Sequence, residues 1–178
     1  MSKQVKWSID IAHSSIYFKV KHLMITNIVG SFKAYDATIS TTGLDFTTAD
    51  ISVWIDVDSI STGDNKRDDH LRSNEFLDTK KHKQITFLVN SISEESSNNI
   101  HELWGELTMV GITKNVKLEC TFNGTAKDAW NNEKAGFELS GKINRSDWGL
   151  TWNAAIEAGG LVVSDEVTIN CEIQLHRV

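Results

Sequence analysis

Proline is absent from the 178 residues, and cysteine occurs only twice. Without proline, no exposed strand edge is blocked by a residue lacking an N–H, so a β-rich chain must close its sheet or carry lysine along its edges. Cys120 and Cys171 form no Cys-x-x-Cys pair, and two thiols alone do not make a zinc site. Each stands in phase with apolar neighbours, Leu118 and Phe122 around one, Ile169 and Ile173 around the other, as small buried hydrophobes do. No apolar run approaches the roughly 20 residues that span a bilayer, so no membrane span is expected.

Positive charge is also scarce. The chain carries 18 Lys and Arg against 24 Asp and Glu, a net charge of −6, the opposite of a surface built to displace counterions from phosphates, so no nucleic-acid partner is expected. The one cationic cluster, Lys80-Lys81-His82-Lys83, is short and reads as a solvated loop. The first residues, Met1 to Trp7, lack the apolar core of an export signal, so a cytoplasmic location is expected of the sequence as written, and a periplasmic one if a signal has been removed.

What remains is ordinary globular composition, 40% hydrophobic and 24% charged, in a length that suits a single domain over residues 1–178. Alternation with period two dominates the chain, the mark of strands with one apolar face and one wet face. Ile16, Phe18 and Val20 alternate with Tyr17, Lys19 and Lys21; Ile51, Val53 and Ile55 with Ser52 and Trp54; Leu107 and Met109 with Glu106 and Thr108. Val116 to Phe122, Phe137 to Ile143 and Val167 to Leu175 repeat the pattern, and Trp7 to Asp10, Phe32 to Ile39, Ile85 to Val89 and Leu150 to Asn153 are shorter candidates. Gly30, Gly43, Gly63, Gly111 and Gly124 are read as turn positions. The expected fold is all-β, a closed antiparallel barrel of about eight strands. A short helical segment is expected near residues 65–78, where Leu71, Phe76 and Leu77 fall among charges. The inside of such a barrel is either filled or holds one small ligand.

Four ordered stretches resemble the YceI-like family of polyisoprenoid-binding domains. They are Trp7 to His22 with Gly30-Ser31-Phe32; Ile60 to Ser73, running through Glu75-Phe76-Leu77-Asp78 to Ile85-Thr86-Phe87; Gly105 to Lys114; and Ile143 to Leu150. The stretch Arg67-Asp68-Asp69-His70-Leu71-Arg72-Ser73 is the most specific of them. The resemblance implies an extended lipocalin-like barrel around a tunnel, an isoprenoid or similar amphipathic lipid as ligand, frequent dimers, hence a homodimer as an expected assembly, and a frequent periplasmic location. One departure is visible: Lys83-Gln84 stand where the family often carries proline before the strand at Ile85.

Strand phase and the resemblance together nominate a ligand-lining set of Phe18, Val20, Phe32, Val53, Ile55, Leu71, Phe76, Phe87, Leu107, Met109 and Trp148. Trp148 and Trp152 fall on one face if their segment is extended. His22, Arg67, His70 and Arg145 are candidates for a polar cluster that either braces the helix against the barrel rim or meets a ligand's head group. Neither a catalytic residue nor a metal ligand is nominated. No His-x-His or His-x₃-His spacing occurs, no Gly-x-Ser-x-Gly elbow exists, and adjacent His13 and Ser14 on a strand point to opposite faces. No cofactor is expected beyond a bound isoprenoid-type lipid. The alternatives are a lipocalin-like hydrolase or metal-dependent enzyme, and a ligand-free interaction module with a filled barrel.

Overall fold

In a computed structural model, which describes residues 3–94, 97–156 and 160–178, the alternation becomes thirteen strands and one α-helix. They are β1 (Gln4–Ile9), β2 (Ser15–His22), β3 (Thr26–Phe32), β4 (Tyr35–Thr42), β5 (Asp45–Asp56), β6 (Ile60–Ser61), α1 (Asn65–Arg72), β7 (Gln84–Ile92), β8 (Ile100–Met109), β9 (Ile112–Lys127), β10 (Glu133–Asn144), the short pair β11 (Ala155–Ile156) and β12 (Gly160–Leu161), and β13 (Glu166–Arg177). Eight of these close an antiparallel ring in the order β1-β4-β5-β7-β8-β9-β10-β13, with β13 pairing back onto β1. Closure removes the edges of the ring strands, which a proline-free chain cannot block with proline.

The last strand pairs with β10 along one edge and serves two partners along the other. Near its end β13 pairs with β1, and lower down, over residues 168–172, with β2. A single 3₁₀ turn, Ile11–His13, joins β1 to β2, so the two form one bent strand along β13. From there β2, β3 and β6 continue the sheet as a flap beyond the ring. The barrel thus has a hairpin end, with the β4–β5 and β9–β10 turns, and a helix end, with α1 and the start of β13.

Burial follows the pleat. In β1, Val5, Trp7 and Ile9 are buried while Gln4 and Lys6 face water. The buried Trp7 indole donates to Thr41 Oγ1 at 2.9 Å, and that hydroxyl donates to the Gly43 carbonyl at 2.7 Å, which satisfies both polar groups inside an apolar cluster.

The helix is shorter than the segment that announced it. Asp64 caps α1 by accepting the Arg67 N–H at 2.9 Å, and Ser73 ends it by donating to the His70 carbonyl at 2.6 Å. Residues 74–77 are turn. Buried Asp68 accepts the Thr62 N–H and hydroxyl, while Arg67 donates to the Thr62 hydroxyl and carbonyl, both at 2.7 Å. Arg72 donates to the Ile60 carbonyl at 3.0 Å. These bonds tie the polar helix to the strand residues before it.

Three expectations are corrected. Phe32 to Ile39 is not one strand: the chain turns at Lys33-Ala34, where Ser59 Oγ accepts both backbone N–H groups at 3.1 and 3.0 Å. Leu150 to Asn153 is not a strand, because Gly149 takes the left-handed conformation (φ 76°) and turns the chain out of the sheet. Gly43, Gly63 and Gly111 do sit in turns, but Gly30 lies inside β3 and Gly124 inside β9 beside a bulge opposite Gly136/Phe137.

Candidate ligand-binding cavity

The ring encloses a cavity of about 810 Å³, inside the range of roughly 300–1,000 Å³ typical of small-molecule sites. Inward residues of every ring strand wall it, Ile39 of β4, Val53 of β5, Phe87 of β7, Leu107 of β8, Leu118 of β9 and Leu139 of β10 among them. Space inside is made by pairing glycines with large neighbours. A Cβ at Gly30 would stand 2.2 Å from the Phe18 ring, one at Gly105 2.6 Å from both the Phe87 ring and the Leu88 carbonyl, and one at Gly141 2.5 Å from Leu118. Within strands, glycine marks such close approaches. Both thiols line the wall, and burial pushes Cys120 up to about 11 and Cys171 up to about 12.

The two ends differ. At the hairpin end Phe46 packs against Trp7, Phe122 and Phe137 with ring centroids 5.0, 5.5 and 4.9 Å apart, an aromatic floor. At the helix end His70, Phe76 and Trp152 form a second aromatic group, with centroids 4.8 to 5.3 Å apart. His70 Nε2 meets Glu75 Oε2 at 2.5 Å, which fixes the imidazole.

Arg145 also borders the helix end and is only 6% exposed. It donates to the carbonyls of Leu150 at 2.7 Å, Ser164 at 2.9 Å and Val163 at 3.4 Å. Burial draws this guanidinium below the usual arginine value, and the charge of Asp165 opposes that shift. His22 reaches the same place through the bridge that β2 makes to Val163.

Ten of the eleven apolar residues nominated from sequence, Phe18, Val20, Phe32, Val53, Ile55, Leu71, Phe76, Phe87, Leu107 and Met109, face the cavity, and His22, Arg67, His70 and Arg145 border it. Trp148 does not. It belongs to a 3₁₀ turn, Arg145–Trp148, is 2% exposed, and donates its indole N–H to the Leu107 carbonyl at 3.0 Å, outside the cavity. Period-two phase fails there because the segment is not extended, so Trp148 and Trp152 part company and Trp152 alone turns inward. Phe46 was missed; it sits in a stretch of mixed polarity with no phase to read. Cys171 and Leu139 were legible in their strands' alternation.

Among the described residues, no three His, Cys, Asp or Glu side chains converge as a metal-ligand set, and no helix is long and apolar enough to cross a membrane. Ser14 Oγ accepts the Gln174 N–H at 2.9 Å, while His13 Nδ1 faces Asp10 at 3.1 Å, so the adjacent pair does not form a nucleophile and base.

A closed eight-stranded antiparallel barrel around an apolar cavity, with one short helix at its end, defines a lipocalin-like architecture. Over residues 7–175 the chain matches the model of the YceI-like domain, and it belongs to that family. It is 36% identical over 163 residues to a UPF0312 protein of Staphylococcus epidermidis, covering 91% of this chain and 92% of the relative. It is 35% identical over 162 residues to one from Staphylococcus aureus, covering 90% and 91%. Among solved structures it is similar to the Campylobacter jejuni YceI protein, with a TM-score of 0.75, 33% identity and 88% of each chain covered. The fold is shared with Burkholderia cenocepacia BcnA (TM-score 0.79, 22% identity, 93% and 98% covered). It is shared as well with a polyisoprenoid binding domain from Saccharophagus degradans (TM-score 0.68, 17% identity, 96% and 97% covered).

Proposed function

We propose that this protein is a binding protein rather than an enzyme, and that it holds, stores or carries a long-chain apolar lipid of polyisoprenoid, isoprenoid-quinone or fatty-acyl type inside the barrel. The observation that carries this reading is the 810 Å³ cavity walled by inward side chains of all eight ring strands. Burial contributes about 0.8 kcal/mol per methylene, so a chain of about ten carbons gains enough to bind with few polar contacts. The family membership and the polyisoprenoid binding domain from Saccharophagus degradans support the same ligand class. Titration with a fluorescent fatty-acyl or quinone probe tests it. Leu107→Arg places a charge on the cavity wall and is expected to abolish uptake while β-sheet circular dichroism stays intact. Undiminished uptake by that variant contradicts binding inside the barrel.

A further inference from the structure

The cavity is apolar along its length, yet its cationic side chains gather at one end. Lys66, Arg67 and Arg145 border the helix end with the imidazoles of His22 and His70 beside them. Among the described residues the one carboxylate on the lining, Asp45, stands at the far, hairpin end. The hydrogen bonds of both guanidiniums go to neutral oxygens, those of Thr62 for Arg67 and the carbonyls of Leu150, Val163 and Ser164 for Arg145. A guanidinium has five N–H donors, so both retain donors beyond these. Asp165 acts on Arg145 from a distance and Asp68 shares the Thr62 hydroxyl with Arg67, but among the described residues neither guanidinium is in a direct ion pair, and the guanidinium fork fits the oxygens of phosphate and carboxylate.

We propose that the helix end is an anion subsite, which takes the acidic head group, phosphate or carboxylate, of an amphipathic lipid whose tail fills the barrel. This rests on the apolar-ligand reading above. The test is a displacement titration with hexadecyl phosphate, palmitate and hexadecanol, three probes that share one tail. The acids are expected to bind about tenfold or more tighter than the alcohol, and Arg67→Gln to bring them down to the alcohol's affinity without changing the alcohol's. Lys66→Gln, at an exposed position, repeats the comparison should the Arg67 variant fold poorly. Equal affinity for all three probes overturns the subsite and leaves the lipid reading standing. Failure of every probe, the alcohol included, overturns the lipid reading and the subsite with it.

A separate feature points outward. The β2–β3 hairpin turns through Leu23 and Met24 at φ 53° and 64°, with the Ile25 N–H donated to the His22 carbonyl at 3.2 Å. Such turns favour Asn-Gly, yet here they present an apolar tip in which Met24 is 53% and Ile25 80% exposed. Lys19 and Lys21 face outward on the same hairpin, and in a chain of net charge −6 no acidic residue occurs between Asp10 and Asp36. Val20, His22 and Ile28 of the same hairpin line the cavity.

We infer that this hairpin docks onto an anionic lipid surface, the tip entering the interface and the lysines facing the head groups. Vesicle flotation reads it: the protein is expected to float with vesicles of mixed phosphatidylcholine and phosphatidylglycerol, less so at high salt, and Ile25→Asp to abolish flotation without changing probe uptake in solution. Equal flotation of the variant overturns the inference. So does a dimer that ultracentrifugation shows to be lost in Ile25→Asp while flotation is absent throughout, which assigns the tip to a second copy of the chain.

Discussion

The Trp152 indole lies edge-on to the His70 imidazole, with ring centroids 4.8 Å apart and planes at 86°. His70 is held on α1 and Trp152 follows the turn after β10, so this contact spans the helix end between two parts of the chain that no strand pairing joins. It makes Trp152 a removable barrier. Trp152→Ala is expected to speed release of a bound probe by about 3- to 10-fold, the equivalent of one lost aromatic pair, with smaller effect on the association rate. Stopped-flow displacement measures it, and an unchanged release rate places the exit elsewhere.

The glycines that make room in the wall predict where volume is not tolerated. At Gly105 the obstructing atoms are the Phe87 ring and a backbone carbonyl, that of Leu88, which cannot rotate away. Gly105→Ala is therefore expected to cost about 1–3 kcal/mol of stability, read from denaturant midpoints. At Gly136 the nearest atom to an added Cβ is Asn123 Cβ at 3.8 Å, ordinary contact, so Gly136→Ala is expected to cost less.

Most of the wall was legible in the sequence because a strand's pleat is a strict rule. Once Phe18, Val53 or Leu107 is known to face inward, its neighbours two residues away follow. The rule ends where the backbone leaves the extended region. Trp148 was misplaced because it ends a 3₁₀ turn, Arg145–Trp148, instead of lying on a strand, and the Lys33-Ala34 turn was invisible because its stabilising hydroxyl belongs to Ser59, distant in sequence. The polar cluster was legible as residues and as a group at the barrel rim, but not in its full membership. Lys66 and Trp152 join Arg67, His70 and Arg145 only when the β3–β6 flap and α1 fold over the barrel end.

The wall thiols offer a probe of occupancy. With burial pushing Cys171 up to about 12, its reactive thiolate is scarce at pH 8. Labelling by a water-soluble disulfide reagent in native buffer is expected to be slow at both cysteines, and slower once lipid is added. Rapid stoichiometric labelling contradicts a shielded wall.

Acid sensitivity has an identifiable source where β1 bends toward β2. Burial raises the Asp10 carboxyl, but hydrogen bonds from His13 and Lys134 outweigh it and hold Asp10 below its usual 3.8. The folded state therefore favours the ionised form, and this stability is present above that value and lost as pH falls through the lower folded value. Asp10→Asn is expected to lower the thermal midpoint at pH 7 and to flatten its decline below pH 4, as calorimetry across pH reads directly. An unchanged acid limb assigns the sensitivity to other carboxylates.

The central claim is that a lipid occupies the barrel. Organic extraction of protein purified under native conditions, followed by mass spectrometry of the extract, tests it most directly. The predicted result is a long-chain lipid in stoichiometric amount that is absent from an equally folded Leu107→Arg preparation. An extract without such a lipid, from protein that also takes up no isoprenoid quinone or fatty-acyl probe, contradicts it.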